Sequence, residues 1–366
     1  MASRLLLAAL VLASLAVSTV IVAYPDNAYG TLENQYTDHL RHQRYGEEFL
    51  RSGLAIYTEP AGSLQRLPGE DDRTYIWPAV SYPYPLGTLL LHLPAGVATY
   101  RLGTDPILVN RGLIALYVTL AHLCLYVFAR GFFARGEAGN PFLGLWVVGI
   151  FWVSMVMWSL NGQFEALPLL LVLLASRSYW RGRYDISVAL IGGALLFKYQ
   201  AALFAPLLIS MLWRRAAEHP RALLNWGTAV LGVAVAADLF TSALSYRYVQ
   251  MPDANLIGYS TLFSGQLFPG AARLLVTLAM TLTLAAYLAW QRQPALATNV
   301  LFAAPFLALL PQVQGWYLLW LFPLALFARG AQRDALGFWA LGLAYLVRQL
   351  PDPSFISALI MPRLPW

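Results

Sequence analysis

Lys198 is the only lysine in the chain; every other one of its 24 Lys+Arg residues is arginine. It stands between two apolar runs, 186–197 and 201–213. A cation among apolar residues is costly and calls for a partner or a task. A compact ammonium suits a single phosphate at a membrane interface. The plainer reading is a snorkelling anchor, its stem on apolar helix and its head among lipid headgroups. Asp38 is the second such residue, in "NQYTDHLRHQRYGEEFLRSG". Thr37 is a fair N-cap there, Leu40, Phe49 and Leu50 form one apolar face, and Gly53 ends the helix, which predicts an amphipathic helix lying on a membrane surface. At its start Asp38 either complements the helix dipole or serves as a general base, with His42 one turn later to orient it. His39 and His42 lack a third ligand at helical spacing, so no metal site is expected. Glu165 follows Gln163 at another helix start, where it complements the dipole or binds a sugar hydroxyl. His92 and His122 read as helix-contact residues. The aromatic stretches "WPAVSYPYP" and "GWYLLW" read as interfacial belts, or as faces on which sugars stack.

The elements that must hold these residues are apolar. Hydrophobic residues make up 59% of the chain and charged residues 11%, with a mean hydropathy of +0.57. Soluble domains carry about a quarter charged residues, so an all-α, polytopic membrane bundle is expected. The net charge of +6 comes from scattered arginines, which points to an anionic membrane surface and not to nucleic acid. The single Cys124 excludes an intrachain disulfide.

Three stretches organise the chain. Residues 1–23 form a first transmembrane helix with a cytoplasmic N-terminus; the apolar run 5–23 is long for a signal peptide. Residues 24–81 form a polar outer loop, and its part up to Pro78 holds nine of the 18 acidic residues. Residues 82–366 form the remaining bundle, with apolar runs near 86–99, 107–128, 142–160, 164–176, 186–197, 201–213, 224–243, 272–290, 296–310, 315–328 and 335–350. The run 86–99 is short and contains Pro94, so it reads as re-entrant or interfacial. If it does not cross, eleven later arginines from Arg130 to Arg333 share the side of Arg4, as the positive-inside rule asks. Eleven spans result. Lys198, the "NGQFE" of 161–165, the "PQVQGWY" of 311–317 and the loop 246–271 then meet the acidic loop on the outer face.

In order along the chain, these motifs resemble the multispanning GT-C class of glycosyltransferases, near glycosyltransferase family 87 and the catalytic subunit of GPI mannosyltransferase I. The resemblance rests on Asp38 followed by Leu50, Gly53 and Tyr57, on Tyr82-Pro83-Tyr84-Pro85-Leu86, on Gly162-Gln163, on Lys198-Tyr199-Gln200, and on Pro311, Tyr317 and Trp320. It covers most of the chain through short motifs. Departures are Leu40 where a second acid is expected, Glu165 in place of Asn, Tyr199 in place of Pro, and Trp316 where some relatives have His. They bear on the sugar more than on the class.

The resemblance implies an inverting enzyme at the periplasmic face of a bacterial inner membrane. It would move a sugar, mannose first among the choices, from a polyprenyl-phosphate donor to a lipid- or glycan-linked acceptor. Asp38 would be the base and His42 its orienting partner. Lys198 would hold the donor phosphate, helped by Arg111 or Arg273. Tyr82, Gln163, Glu165, Gln200, Gln314 and Tyr317 would contact sugar or phosphate. A single phosphate neutralised by Lys and Arg needs no metal or other cofactor. Two readings from other classes stand beside this one: a flippase or transporter of lipid-linked sugars, and a non-catalytic membrane subunit.

Overall fold

A computed structural model describes residues 2–23, 38–58, 82, 84–133, 141–160, 162–204, 212, 225–249, 279, 319–320 and 323. Every regular element among them is helical, as expected. In chain order they are α1 (Ala2–Ala23), α2 (Asp38–Ser52), a single turn (Ala55–Thr58), α3 (Leu86–Gly96), a π-helical turn (Val97–Arg101), α4 (Pro106–Phe133), α5 (Pro141–Leu160), α6 (Ala166–Trp180), α7 (Tyr184–Phe197), a 3-10 helix (Tyr199–Phe204) and α8 (Trp226–Val249).

One of these helices, over Leu108–Phe133 of α4, is long and apolar enough to cross a membrane. Its neighbours surround it. α1 packs along α4, where Ser18 Oγ lies 3.3 Å from His122 Nε2 and Trp152 Nε1 donates to Ser14 Oγ. α5 and α6 also lie against α4, and Cys124 Sγ donates to the Ala166 carbonyl at 2.7 Å. α7 returns along α6 after Gly182, whose φ of 70° an L side chain adopts only under strain. α8 then runs along α7; its N-cap Asn225 accepts from the Thr228 N–H at 3.0 Å, and Trp226 Nε1 donates to Asp185 at 3.0 Å. The main core gathers Cys124, Phe128, Phe151, Leu169, Leu173, Ile191, Phe204 and, from far along the chain, Trp320. Some polar residues lie inside and some large apolar ones outside. Ser14, Ser18, His122 and Lys198 are buried, whereas Leu108, Leu116 and Leu123 of α4 and Val233, Leu239 and Phe240 of α8 are exposed.

Two expectations change in detail. α6 and α7 have 15 and 14 residues, so each rises only about 21–22 Å, against about 30 Å for a bilayer's hydrocarbon layer. The runs 164–176 and 186–197 thus lie in helices of 15 and 14 residues, shorter than that layer is thick. Beyond Lys198 the chain enters a 3-10 helix, Tyr199–Phe204. The second change concerns α2. Residues 45–48 are buried on every side, so this part of the helix does not lie open on a surface. The cause is a close crossing with α3: a Cβ on Gly46 would sit 2.2 Å from the His92 carbonyl oxygen, and one on Gly96 2.3 Å from the Gly46 carbonyl carbon. Only glycine on both helices permits that approach.

α3 and its π turn together run from Leu86 to Arg101, which rises about 24 Å and falls short of a span. Pro94 inside α3 lacks an N–H for the ladder, and the wide π turn begins three residues later.

Candidate functional site

Two helix ends meet at Lys198. α7 stops at Phe197, and Lys198 takes extended backbone angles, φ −156° and ψ 130°, before the 3-10 helix begins. This break turns its side chain towards the start of α6, where Gly162, at φ 84°, reverses the chain and delivers Gln163, Phe164 and Glu165. Lys198 Nζ donates to Glu165 Oε1 in a direct ion pair. Both residues are buried, at 3% and 1% exposure. Lys198 does not extend its head to the surface. Glu165 makes no side-chain capping bond to α6; its Oε1 accepts from the lysine.

Aromatic rings enclose the pair. The ammonium lies 4.2 Å from the Phe164 ring centre and 6.0 Å from that of Tyr84, a cation–π arrangement that gains strength where water is excluded. Tyr84 stacks edge-on with Phe164 at 5.3 Å and with Tyr82 at 5.5 Å. Tyr82 in turn meets Tyr45 of α2 at 4.7 Å and Tyr57 at 5.2 Å. His92 of α3 lies 5.8 Å from Phe164 and 6.1 Å from Tyr82. Burial, and then the ammonium of Lys198, lower the His92 pKa to about 3, so the imidazole is neutral at ordinary pH. Burial, and then the neighbouring tyrosines, raise the Tyr82 phenol well above its ordinary value.

The cluster is fixed from below by α3. Thr88 Oγ1 donates to the Phe197 carbonyl at 2.6 Å, immediately before Lys198. Gly87 comes so close to α7 that a Cβ there would sit 2.4 Å from the Leu196 carbonyl oxygen. Backbone bonds complete the frame: Lys198 N–H to the Ala194 carbonyl at 3.0 Å, Ala201 N–H to the Lys198 carbonyl at 3.1 Å, and Tyr82 N–H to the Ile56 carbonyl at 2.7 Å.

Of the residues singled out in the sequence, Tyr82, Gln163, Glu165, Lys198 and Gln200 gather here. Gln163 is buried in the turn before Glu165. Gln200 stands two residues past Lys198, and its Oε1, like the Tyr82 hydroxyl, is buried with no hydrogen-bond partner among the described residues. Arg111 lies on α4, its Nε likewise buried and without such a partner. Asp38 and His42 open α2, four positions apart; Asp38 stands about 10 Å along the helix axis from Tyr45. Arg273, Gln314 and Tyr317 lie outside the described residues.

Sequence reasoning missed His92, Tyr45 and Phe164 as parts of this cluster. A signal was present in Thr88, His92 and Ala95, whose spacing puts them on one face of α3, and in the paired Gly46 and Gly96. It also missed the buried Glu47 and Glu48; Arg51 Nη1 lies 3.5 Å from Glu48 Oε1 and its guanidinium 4.8 Å from the Tyr100 ring centre. The chain matches no family model, no curated protein and no solved structure. Chemically, the arrangement offers a shielded cation with a resident carboxylate, beside phenol and amide groups in apolar surroundings.

Proposed function

We propose that this chain is an inverting glycosyltransferase of the GT-C type that takes a sugar, mannose first among the choices, from a polyprenyl-phosphate donor. It is an integral membrane bundle of about eleven spans with its N-terminus cytoplasmic, set in a bacterial inner membrane with the site on the periplasmic side. The observation that carries this reading is the single lysine, buried and charge-paired at two helix ends within one aromatic cluster. An ammonium so placed recognises one phosphate as a point charge. Exposed apolar residues on α4 and α8 support the membrane setting.

In the reaction, the acceptor hydroxyl oxygen attacks the anomeric carbon from the side opposite the phosphate. Asp38, oriented by His42, takes the hydroxyl proton. The bond from carbon to phosphate oxygen breaks, and its electron pair stays on the phosphate, which leaves as the polyprenyl monoester. A single in-line displacement inverts the anomeric centre. Lys198 holds the phosphate through these steps, with Arg111 or Arg273 beside it. Tyr82, Gln163, Gln200, Gln314 and Tyr317 contact sugar or phosphate, and Glu165 acts through Lys198. The acceptor is lipid- or glycan-linked. No step calls for a metal, so activity should survive chelation.

The test is sugar transfer by the purified chain in lipid from a panel of polyprenyl-phosphate sugars. Transfer of one sugar by wild type, with a drop of about 10²–10⁴-fold in folded Asp38→Asn, is the expected result. Full activity in Asp38→Asn removes Asp38 as the base. Donor carried across the bilayer with its glycosidic bond intact would make the protein a flippase instead.

A further inference from the structure

At the far end of α6 from Glu165, arginines collect. Arg130 stands in the last turn of α4 and Arg177 in the last turn of α6. Arg181 follows at once, in the turn that Gly182 closes. Any one of them complements a helix C-terminus and obeys the positive-inside rule. Neither role asks them to meet, yet they do. Arg177, half-buried, lies close enough to feel the like charges of Arg181 and Arg130, and Tyr126 acts on it as well. Among the described residues no carboxylate pairs with these three guanidiniums; Asp185, the nearest acid in sequence, accepts from Trp226 of α8. Like charges drawn together from two helices and a turn form a seat for an anion.

α4 shows what kind of anion fits. Leu116, Leu123, Tyr126 and Arg130 are all exposed, and their spacing of seven, three and four residues sets them along one stripe. Arg130 Nη1 donates to the Tyr126 hydroxyl at 3.1 Å, which ties the cation to the ring at the stripe's end. From Leu116 to Tyr126 the helix rises about 15 Å, half of the roughly 30 Å hydrocarbon layer. The stripe therefore runs from apolar to aromatic to cationic over the depth of one leaflet. A free anion would use only its last residue, whereas a lipid uses all of it.

We propose that Arg130, Arg177 and Arg181 form a binding site for an anionic glycerophospholipid of the inner leaflet, whose acyl chain lies along Leu123 and Leu116. The headgroup phosphodiester sits among the guanidiniums, whose planar forks match phosphate oxygens. A zwitterionic headgroup is the poorer ligand, because it brings its own cation to a place already crowded with three. The site rests on the membrane setting and sidedness proposed above, not on sugar transfer. It would pin the inner end of the α6–α7 hairpin while Lys198 works at the other end.

The experiment places the full chain in phosphatidylcholine nanodiscs with a trace of phosphatidylglycerol or phosphatidylcholine that carries a photoreactive acyl chain. Crosslinked peptides are then mapped by mass spectrometry. The phosphatidylglycerol probe should label the stretch from Leu116 to Tyr126 at least about tenfold more than the phosphatidylcholine probe, since each arginine at a membrane surface is worth about fivefold in affinity. Unlabelled phosphatidylglycerol should displace it, and millimolar inorganic phosphate should not. Arg130→Gln and Arg181→Gln should each reduce the preference about fivefold, and Arg101→Gln, which removes the same charge elsewhere, should leave it unchanged. If those variants do not fold, the probe preference and the competition in wild type decide alone. Equal labelling by both probes overturns the site but keeps the membrane setting, because lipid still lies along α4. Displacement by inorganic phosphate overturns it in favour of a soluble anion. A preference that survives both arginine substitutions overturns it too. No labelling of this stretch by either probe defeats the site and the membrane setting together.

Discussion

Thirty-three positions of sequence separate Glu165 from Lys198, yet their charges meet in an ion pair inside the protein. Lys198→Met alone should lower stability by about 3–5 kcal/mol, because Glu165 then lacks its cation. Lys198→Met with Glu165→Leu removes both charges and should recover most of that loss, as thermal unfolding in detergent would register. His92 makes a pH prediction. Its folded pKa, about 3, lies below the ordinary 6.5, so between those values the unfolded chain binds more protons. The stability is therefore complete above about pH 6.5 and falls on acidification, by up to about 1.4 kcal/mol per pH unit. His92→Phe keeps the ring and should flatten that part of the profile. How far was this site legible in sequence? Lys198 was conspicuous by its uniqueness, and Glu165 by its place at a helix start. Their pairing was not, because nothing in the spacing of two residues on different helices reports which ends meet. His92 was passed over because a lone histidine in an apolar run has no local signature.

At the scale of elements, α2 and α3 were both legible, but their contact was not. Periodicity in "NQYTDHLRHQRYGEEFLRSG" reports a helix with one apolar face, and such a face suits a membrane surface as well as a partner helix. The missing information was Gly46 opposite Gly96, a pair of absent side chains in two distant segments. Gly46→Val and Gly96→Val should each force the helices apart. The expected cost is about 1–3 kcal/mol of stability, together with loss of donor binding, because His92, Tyr45 and Tyr82 would shift. Gly112→Ala is the matching control. A Cβ there meets nothing within 4 Å, so the change should be neutral or stabilise by up to about 1 kcal/mol through helix propensity. Equal damage from all three substitutions would show that the crossing has no special role.

For the whole molecule, composition announced an all-helical chain, and every regular element among the described residues is helical. The apolar runs 164–176 and 186–197 located α6 and α7 to within a few residues, but hydropathy did not report the turns at Gly162 and Gly182 or the extended Lys198 that bound them. The proposed topology puts residues 101–105 outside and 181–183 inside. A membrane-impermeant maleimide should thus label Leu102→Cys in intact cells and Arg181→Cys only after permeabilisation; buried Cys124 keeps the background low. The reverse pattern would overturn the sidedness. The shortness of α6 and α7 has a further outcome. If their Arg177–Arg183 end sits at the inner headgroups, Glu165 and Lys198 stop roughly 8 Å below the opposite edge of the hydrocarbon layer. A lipid docking its phosphate there must sink beneath its neighbours, leaving a dimple in the outer leaflet above it. The depth of that dimple, more than any side chain, would then exclude lipids whose headgroups are too bulky to be drawn down.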